Sequence, residues 1–477
     1  MKQFCSTILF AIAILTTNIQ GQTVDFMVTP YLQIGSTPSS TSLELMWHTA
    51  DSNADWSVET KLSDKDVWTK MSTPTMKTVA AKGITTRRVY ATTLTPLAAG
   101  KDFNYRVSKG KKVVFTSSAK APKSAEQAYR FVTFGDIGAG TPEQKASAYQ
   151  AFVANPDFVA VAGDIVYERG LISEYDTRFW PVYNTEKVDT VGVPMMRSVP
   201  FFSSTGNHDT DTQDLDKFPD AKAYYLFWHQ PLNGPLGTEG SASVPKIIAN
   251  DTNRRAFIAG AGDNYPRMTN YSYNYGNAHW LVLDSNPYMD WTDSTLQKWV
   301  TDDLAASKDA MWHFVLFHHP GFSSSIDHFE QQHMRLLSGI FEKGKVDIIF
   351  SGHVHNYQRT FPMKFGKDKN GTLMVGGKDH KTVRGRVVNG LWTLDKSFDG
   401  KINTTPQGII YLVTGAGGQE LYNPEQTNDP DSWQKFTDKF ISNQHSITVA
   451  DVDGKTLIVR QISKDGQELD SFKIVKQ

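Results

Sequence analysis

The sequence predicts an all-β sandwich over residues 23–120 followed by an α/β domain over residues 127–477. Three observations predict this. Up to Lys120, short runs of alternating apolar and polar residues are divided by turns rich in Gly, Ser, Asp and Pro. Beyond Arg130, short continuous apolar runs alternate with helical patterns, the texture of a largely buried sheet with helices on its faces. A length of 477 residues also exceeds one ordinary domain.

The elements follow in order. Lys2 precedes the apolar run from Thr7 to Leu15, then polar Thr16-Thr17-Asn18, with Ile19 and Gly21 at a small-residue cleavage position. Residues 1–21 therefore read as a signal peptide, too short to span a bilayer, and the protein as secreted or periplasmic. The lysine and the polar break disfavour the other reading, a buried first strand. The single cysteine, Cys5, lies inside this leader, so the expected mature chain has no thiol or disulfide. Any metal site in it must use oxygen and nitrogen ligands.

In the sandwich, Leu43, Leu45 and Trp47 alternate with polar residues, as do Trp56 and Val58. Leu94 to Leu97, a turn at Gly100, and then Phe103, Tyr105 and Val107 resemble the late-strand corner of an immunoglobulin/fibronectin type III-like sandwich. Polar residues 119–126, with Pro122, read as a linker. The α/β part shows apolar strands at Phe131–Phe134, Phe158–Ala162, Val199–Ser203, Trp280–Leu283, Phe314–Phe317 and Val346–Phe350. A helix is expected over Pro142–Val153, with Ala146, Tyr149, Phe152 and Val153 on its apolar face. Two more are marked by Leu296, Trp299, Val300 and Leu304, and by Met334, Leu337, Ile340 and Phe341. Gly408–Val413 and 446–475 return to β alternation, with an Asp453-Gly454 hairpin signal. Residues 211–268 and 361–407 read as long polar loop insertions near the active face. The formal net charge of -1 is spread along the chain, which favours neither nucleic acid nor an anionic membrane as an obligate partner, and no later stretch is long enough for a membrane span.

Five of the apolar strands run straight into residues that can ligate metal: Gly135-Asp136, Gly163-Asp164 with Tyr167, Gly206-Asn207-His208-Asp209, His318-His319, and Gly352-His353 with His355. Ligands bind outside the carboxyl ends of the strands in open α/β sheets, so these residues are expected to converge in one cleft. A Gly-Asp pair after a strand is by itself usually a turn. Two histidines spaced by two on an extended segment point the same way, and the buried strand Ile348-Ile349-Phe350 before them argues against a plain surface loop. The force lies in all five occurring together.

This pattern resembles the purple acid phosphatases, within the calcineurin-like metallophosphoesterases, over nearly the whole mature chain. The resemblance implies a catalytic domain of mixed β-sheets flanked by helices. It also implies that Asp136, Tyr167 and His355 bind a first metal, that Asp164 bridges, and that Asn207, His318 and His353 complete a second site. The wider superfamily has Asp-x-His in its first motif; here Gly138 stands at that histidine, and Tyr167 supplies a phenolate instead. Carboxylate, phenolate and one histidine form a hard anionic set suited to Fe(III), while Asn, two His and a shared carboxylate suit a divalent ion, Zn, Mn or Fe(II). The implied chemistry is hydrolysis of a small-molecule phosphate ester by metal-bound hydroxide. By the same resemblance His208 protonates the leaving oxygen and His328 faces the substrate. His319 and Asp209 read as residues that orient ligands, although Glu is commoner in the family where Asp209 stands. His48, His229, His279, His313, His333, His380 and His445 read as structural. A phosphodiesterase or nucleotidase on the same metal pair is the alternative enzyme. A surface-binding protein with a dead phosphatase domain is the alternative of another class; a lost ligand would favour it, and none is lost.

Overall fold

The computed structural model describes residues 25–62, 66–372 and 387–477. Residues 1–21, read above as a leader, lie outside the described residues. No helix among those described is long and apolar enough to cross a membrane.

Two large mixed sheets face each other and position the site. In the seven-stranded sheet, Ala278–Val282, Trp312–Leu316, Ile348–Ser351 and Ile410–Thr414 run parallel, with antiparallel Tyr271–Tyr275 on one side and Tyr357–Thr360 and Thr437–Ile441 on the other. In the ten-stranded sheet, Tyr129–Phe134, Phe158–Ala162 and Phe201–Ser204 are parallel neighbours, flanked on one side by the antiparallel C-terminal strands Ser446–Asp453, Thr456–Ser463 and Glu468–Val475. Strand ends fall within about two residues of those expected from the sequence. Successive side chains point to opposite faces, and both faces are covered, so a strand such as Phe158–Ala162 is buried throughout. Phe131, Phe158, Phe202, Trp280, Phe314 and Phe350 meet between the sheets, while Val132, Phe134, Val159 and Val161 face helices on the outer side. Leu281, Val315 and Ile349 do the same on the second sheet, against Leu296, Val300 and Phe341.

The N-terminal strands form two sheets around Leu45, Trp47, Val58, Tyr90, Phe103 and Tyr105. One of them is not separate from the α/β part. Strands Val28–Gln33, Leu43–Ala50, Arg87–Leu94 and Thr75–Val79 continue the ten-stranded sheet through a parallel pairing of Gln33 with Phe201.

Three expectations are corrected. Helix Pro142–Val153 starts as expected, with Thr141 Oγ1 accepting from Gln144 N (3.1 Å) and proline in the first turn. Its buried face, however, is Gln144, Ser147, Ala148 and Ala151, while Tyr149 and Val153 are exposed. Close approach to the sheet favours small side chains over the larger apolar ones. Residues 211–268 are a packed layer, not a loop: helix Asp251–Ala261 lies against strand Thr75–Val79, and Tyr224, Tyr225, Phe227, Trp228 and Phe257 are buried. In 361–407, Met363–Thr372 and Val388–Leu394 pair antiparallel, and Phe365 packs edge-on against Phe322.

Candidate metal centre

The five motifs sit where the strands of both sheets end. Three expected ligands leave their strands through the left-handed region: Asp136 (φ 61°), Asp164 (φ 50°) and His353 (φ 66°). Such conformations cost about 1–3 kcal/mol each and persist where surrounding structure imposes them. Two glycines make room. A Cβ at Gly206 would overlap the Asp164 carboxylate, and one at Gly138 would overlap the Ile165 carbonyl. The second overlap explains why no histidine stands at 138: the segment leading to Tyr167 fills that space.

Six of the seven expected ligands are seen in two clusters, one of Asp136, Tyr167 and His355 and one of Asp164, His318 and His353. In the first, the Tyr167 hydroxyl donates to Asp136 Oδ1 (2.8 Å), and His355 Nε2 lies 3.3 Å from the Tyr167 oxygen and 3.4 Å from Asp136 Oδ1. Burial and the carboxylates of Asp136 and Asp164 push the Tyr167 phenol far above its usual value, so only a strongly polarising cation would make it a phenolate. In the second, ligand atoms of Asp164, His318 and His353 lie within 4.8 Å of one another. His318 Nε2 is 3.2 Å from Asp164 Oδ2. Burial works to lower the His318 pKa, but Asp164 outweighs it and lifts it to about 9. Burial likewise raises Asp164, and His318 and His208 more than reverse that.

Tautomers are set by carbonyls behind the rings. His318 Nδ1 donates to Ala162 O (2.8 Å) and His355 Nδ1 to Glu420 O (2.7 Å), which turns each Nε2 lone pair inward. The fit to a metal shows in what remains unsatisfied. Asn207 Oδ1 and His353 Nε2 are buried and have no hydrogen-bond partner, and His318 Nε2 faces the Asp164 carboxylate. A buried acceptor without a donor costs about 1–3 kcal/mol, and the cluster of Asp164, His318 and His353 is a group that could hold a cation.

The remaining sequence-predicted residues surround this cluster. His208 packs on the Tyr167 ring (4.4 Å between centroids), donates from Nδ1 to Glu168 O (2.7 Å), and holds Nε2 3.9 Å from Asp164 Oδ2. His328 (φ 65°) sets its ring 4.5 Å from that of His353. His319 also packs on His353 (4.1 Å) and meets Ser285 Oγ at Nδ1 (3.1 Å). Asp209 accepts from Gly206 N (2.8 Å) and Ile165 N (3.0 Å), joining two ligand loops, and burial beside Asp164 pushes it up to about 8. His48, His229, His279, His313 and His445 have partners of their own, His333 bonds the carbonyl of Ser285 (2.7 Å), the residue that also meets His319, and His380 lies outside the described residues.

Sequence reasoning missed Tyr422, whose ring lies flat on His355 (4.1 Å, 12°) and 5.4 Å from His328. A signal existed: strand Ile410–Thr414 runs into Gly415-Ala416-Gly417-Gly418, the same strand-then-glycine pattern. A Cβ at Gly415 would come within 2.7 Å of Asp136 Oδ2.

Residues 129–357 match the family of calcineurin-like phosphoesterases. The chain is 28% identical over 272 residues to the probable inactive purple acid phosphatase 27 of Arabidopsis thaliana, covering 52% of this chain and 39% of that protein. It is 30% identical over 241 residues to purple acid phosphatase 1 of Ipomoea batatas, covering 49% of this chain and 43% of that protein. The chain thus spans less than half the length of these two relatives. Purple acid phosphatase PPD1 from yellow lupin (Lupinus luteus) seeds shares the fold, with a TM-score of 0.63 at 19% identity over 94% of this chain and 74% of that one.

Proposed function

From a chain that carries a calcineurin-like phosphoesterase domain and has purple acid phosphatases as relatives, we propose a phosphatase that hydrolyses phosphate monoesters at a dinuclear Fe(III)–divalent metal centre. The observation that carries this reading is the buried cluster of Asp164, His318 and His353 ligand atoms, with His353 Nε2 left without a hydrogen-bond partner. Asp136, Tyr167 and His355 would hold the ferric ion, Asn207, His318 and His353 the divalent one, and Asp164 both. A metal pair of this kind supplies positive charge against phosphoryl oxygens and an acidified water.

The chain's own residues supply the rest. Carbonyls of Ala162 and Glu420 fix His318 and His355 so that ligand atoms need no reorganisation. With Nδ1 committed to Glu168 O, His208 has only Nε2 free to hold a proton for the leaving oxygen. His328 and Tyr422 close one wall of the cleft over His353 and His355. Some relatives are named inactive; here every ligand position is filled, which favours an enzyme over a binding protein. Cleavage of residues 1–21 as a leader would make the activity secreted or periplasmic. Metal analysis of the purified protein, with turnover of a panel of phosphate mono- and diesters, tests the reading. Two metals per chain and a monoester preference are expected. Absence of both bound metal and turnover refutes it.

A further inference from the structure

The segment after strand Phe158–Ala162 carries two groups of the site within two residues. Tyr167 aims its hydroxyl at Asp136, and the carbonyl of Glu168 accepts the Nδ1 proton of His208. The peptide unit between these residues is gripped at both of its polar groups. Arg178 Nη1 donates to the Tyr167 carbonyl (2.6 Å), and Glu168 N donates to the Glu174 carboxylate. The same carboxylate accepts from Arg169 N (3.1 Å) and Leu171 N (2.9 Å). Glu174 is buried, and Arg178 is itself tied down by Gln144 Nε2, which donates to its carbonyl (2.7 Å). The two side chains stand four residues apart on a helical segment whose residues Tyr175–Phe179 wind as a π-helix, a widened turn frequent at functional sites. That segment is fixed in the outer core by buried Ile172, Tyr175, Phe179 and Trp180.

We propose that Glu174 and Arg178 form a positioning clamp on the Tyr167–Glu168 peptide, and through it set both the Tyr167 phenol and the His208 ring. Neither touches substrate, and the inference rests on the phosphoesterase reading above. A carboxylate suits the task because both of its oxygens accept, so it can gather three backbone N–H groups; an amide of the same shape turns an NH2 toward those donors. A loop merely anchored to the fold needs no such grip on one peptide unit. Loosening it moves His208 relative to the reacting atoms, and misplacement by about 1 Å is enough to cost up to 10²-fold in rate.

The test uses the full chain as Glu174→Gln and Arg178→Met, each checked for folding by circular dichroism and thermal unfolding. In metal-free protein labelled with 15N-histidine, His208 of the wild type is expected as the Nδ1–H tautomer, assigned by its loss in His208→Ala, and both variants are expected to average the two tautomers. In metal-loaded protein, kcat for an alkyl phosphate is expected to fall about tenfold to a hundredfold with KM within about twofold, and less for a nitrophenyl phosphate. Unchanged tautomer and unchanged kcat in both variants overturn the proposal. So does lower thermal stability with tautomer and alkyl-to-nitrophenyl ratio unchanged, which makes the pair scaffold only. If Glu174→Gln does not fold, Arg178→Met carries the same readouts. A wild type that hydrolyses no phosphate ester refutes the functional reading, while a tautomer change in the variants still supports the clamp.

Discussion

His208→Ala separates proton donation from metal binding. His208 Nδ1 is committed to Glu168 O at 2.7 Å, and its Nε2 lies 3.9 Å from Asp164 Oδ2, outside the cluster of Asp164, His318 and His353 ligand atoms. The hydrogen bond that the residue gives to Asp164 comes from its backbone, His208 N to Oδ1 at 2.9 Å, and survives truncation to alanine. Metal content is therefore expected to stay within error of the wild type. The side chain is about 27% exposed, so its loss costs little core. What is lost is the proton: turnover of alkyl phosphates is expected to fall about 10²–10⁴-fold, or about 3–5 kcal/mol of transition-state stabilisation. Nitrophenyl phosphate, whose leaving group needs no proton, is expected to lose far less. The assay is steady-state kinetics across leaving groups of graded basicity, with metal content measured on the same samples. An equal loss for every leaving group refutes proton donation, and loss of metal makes His208 a ligand.

If Asp164 bridges the two metals as proposed, Asp164→Asn is expected to abolish activity and stable occupancy of both; near-normal turnover with metal retained argues against bridging. Tyr167→Phe removes the 2.8 Å hydrogen bond to buried Asp136 and is expected to destabilise the metal-free protein by about 1–3 kcal/mol in chemical denaturation. In the iron-loaded protein it is expected to abolish a visible tyrosinate-to-iron absorption, and a colourless but fully active wild type with zinc or manganese alone sinks the Fe(III) assignment. His48 is buried, with burial first and then Arg87 and Lys77 driving its pKa well below that of free imidazole. Below about pH 6.5 the unfolded chain therefore binds a proton that the folded chain refuses, and stability falls as pH drops through that value, by at most about 1.4 kcal/mol per pH unit for this residue. Urea unfolding between pH 7.5 and 5 is expected to show a shallower pH slope in His48→Gln, and an identical slope removes His48 from the account.

The strands of the two facing sheets were legible because burial on both faces leaves continuous apolar runs, as in Phe158–Ala162 and Ile348–Ser351. The expected helix face failed for a related reason. Hydrophobicity marks Tyr149 and Val153, but the contact with the sheet is made by Ala148 and Ala151, where separation, not apolarity, decides. The joining of the N-terminal strands to the central sheet rests on one parallel pairing, Gln33 with Phe201, and no local pattern announces a contact across that distance in sequence. In 211–268, Gly, Asp and Asn hid paired aromatics such as Tyr224-Tyr225 and Phe227-Trp228, whose burial needs a partner surface supplied by distant strands.

The site divides along the same line. Five short stretches, each a strand followed by a residue type that binds metal, mark the place locally, and the family resemblance picks seven expected ligands from the residues they offer. What holds those ligands does not depend on residue type in that way. Ala162 and Glu420 act on His318 and His355 through backbone carbonyls, which every residue has, and Glu168 acts on His208 through another. Glu174 and Arg178 act on backbone groups as well. A chain keeping all seven ligand residues but losing the clamp would look unaltered to any motif, yet its Tyr167 and His208 would lose their fixed geometry. The chemistry is therefore written in side chains that motifs can find, and its precision in backbone contacts that they cannot.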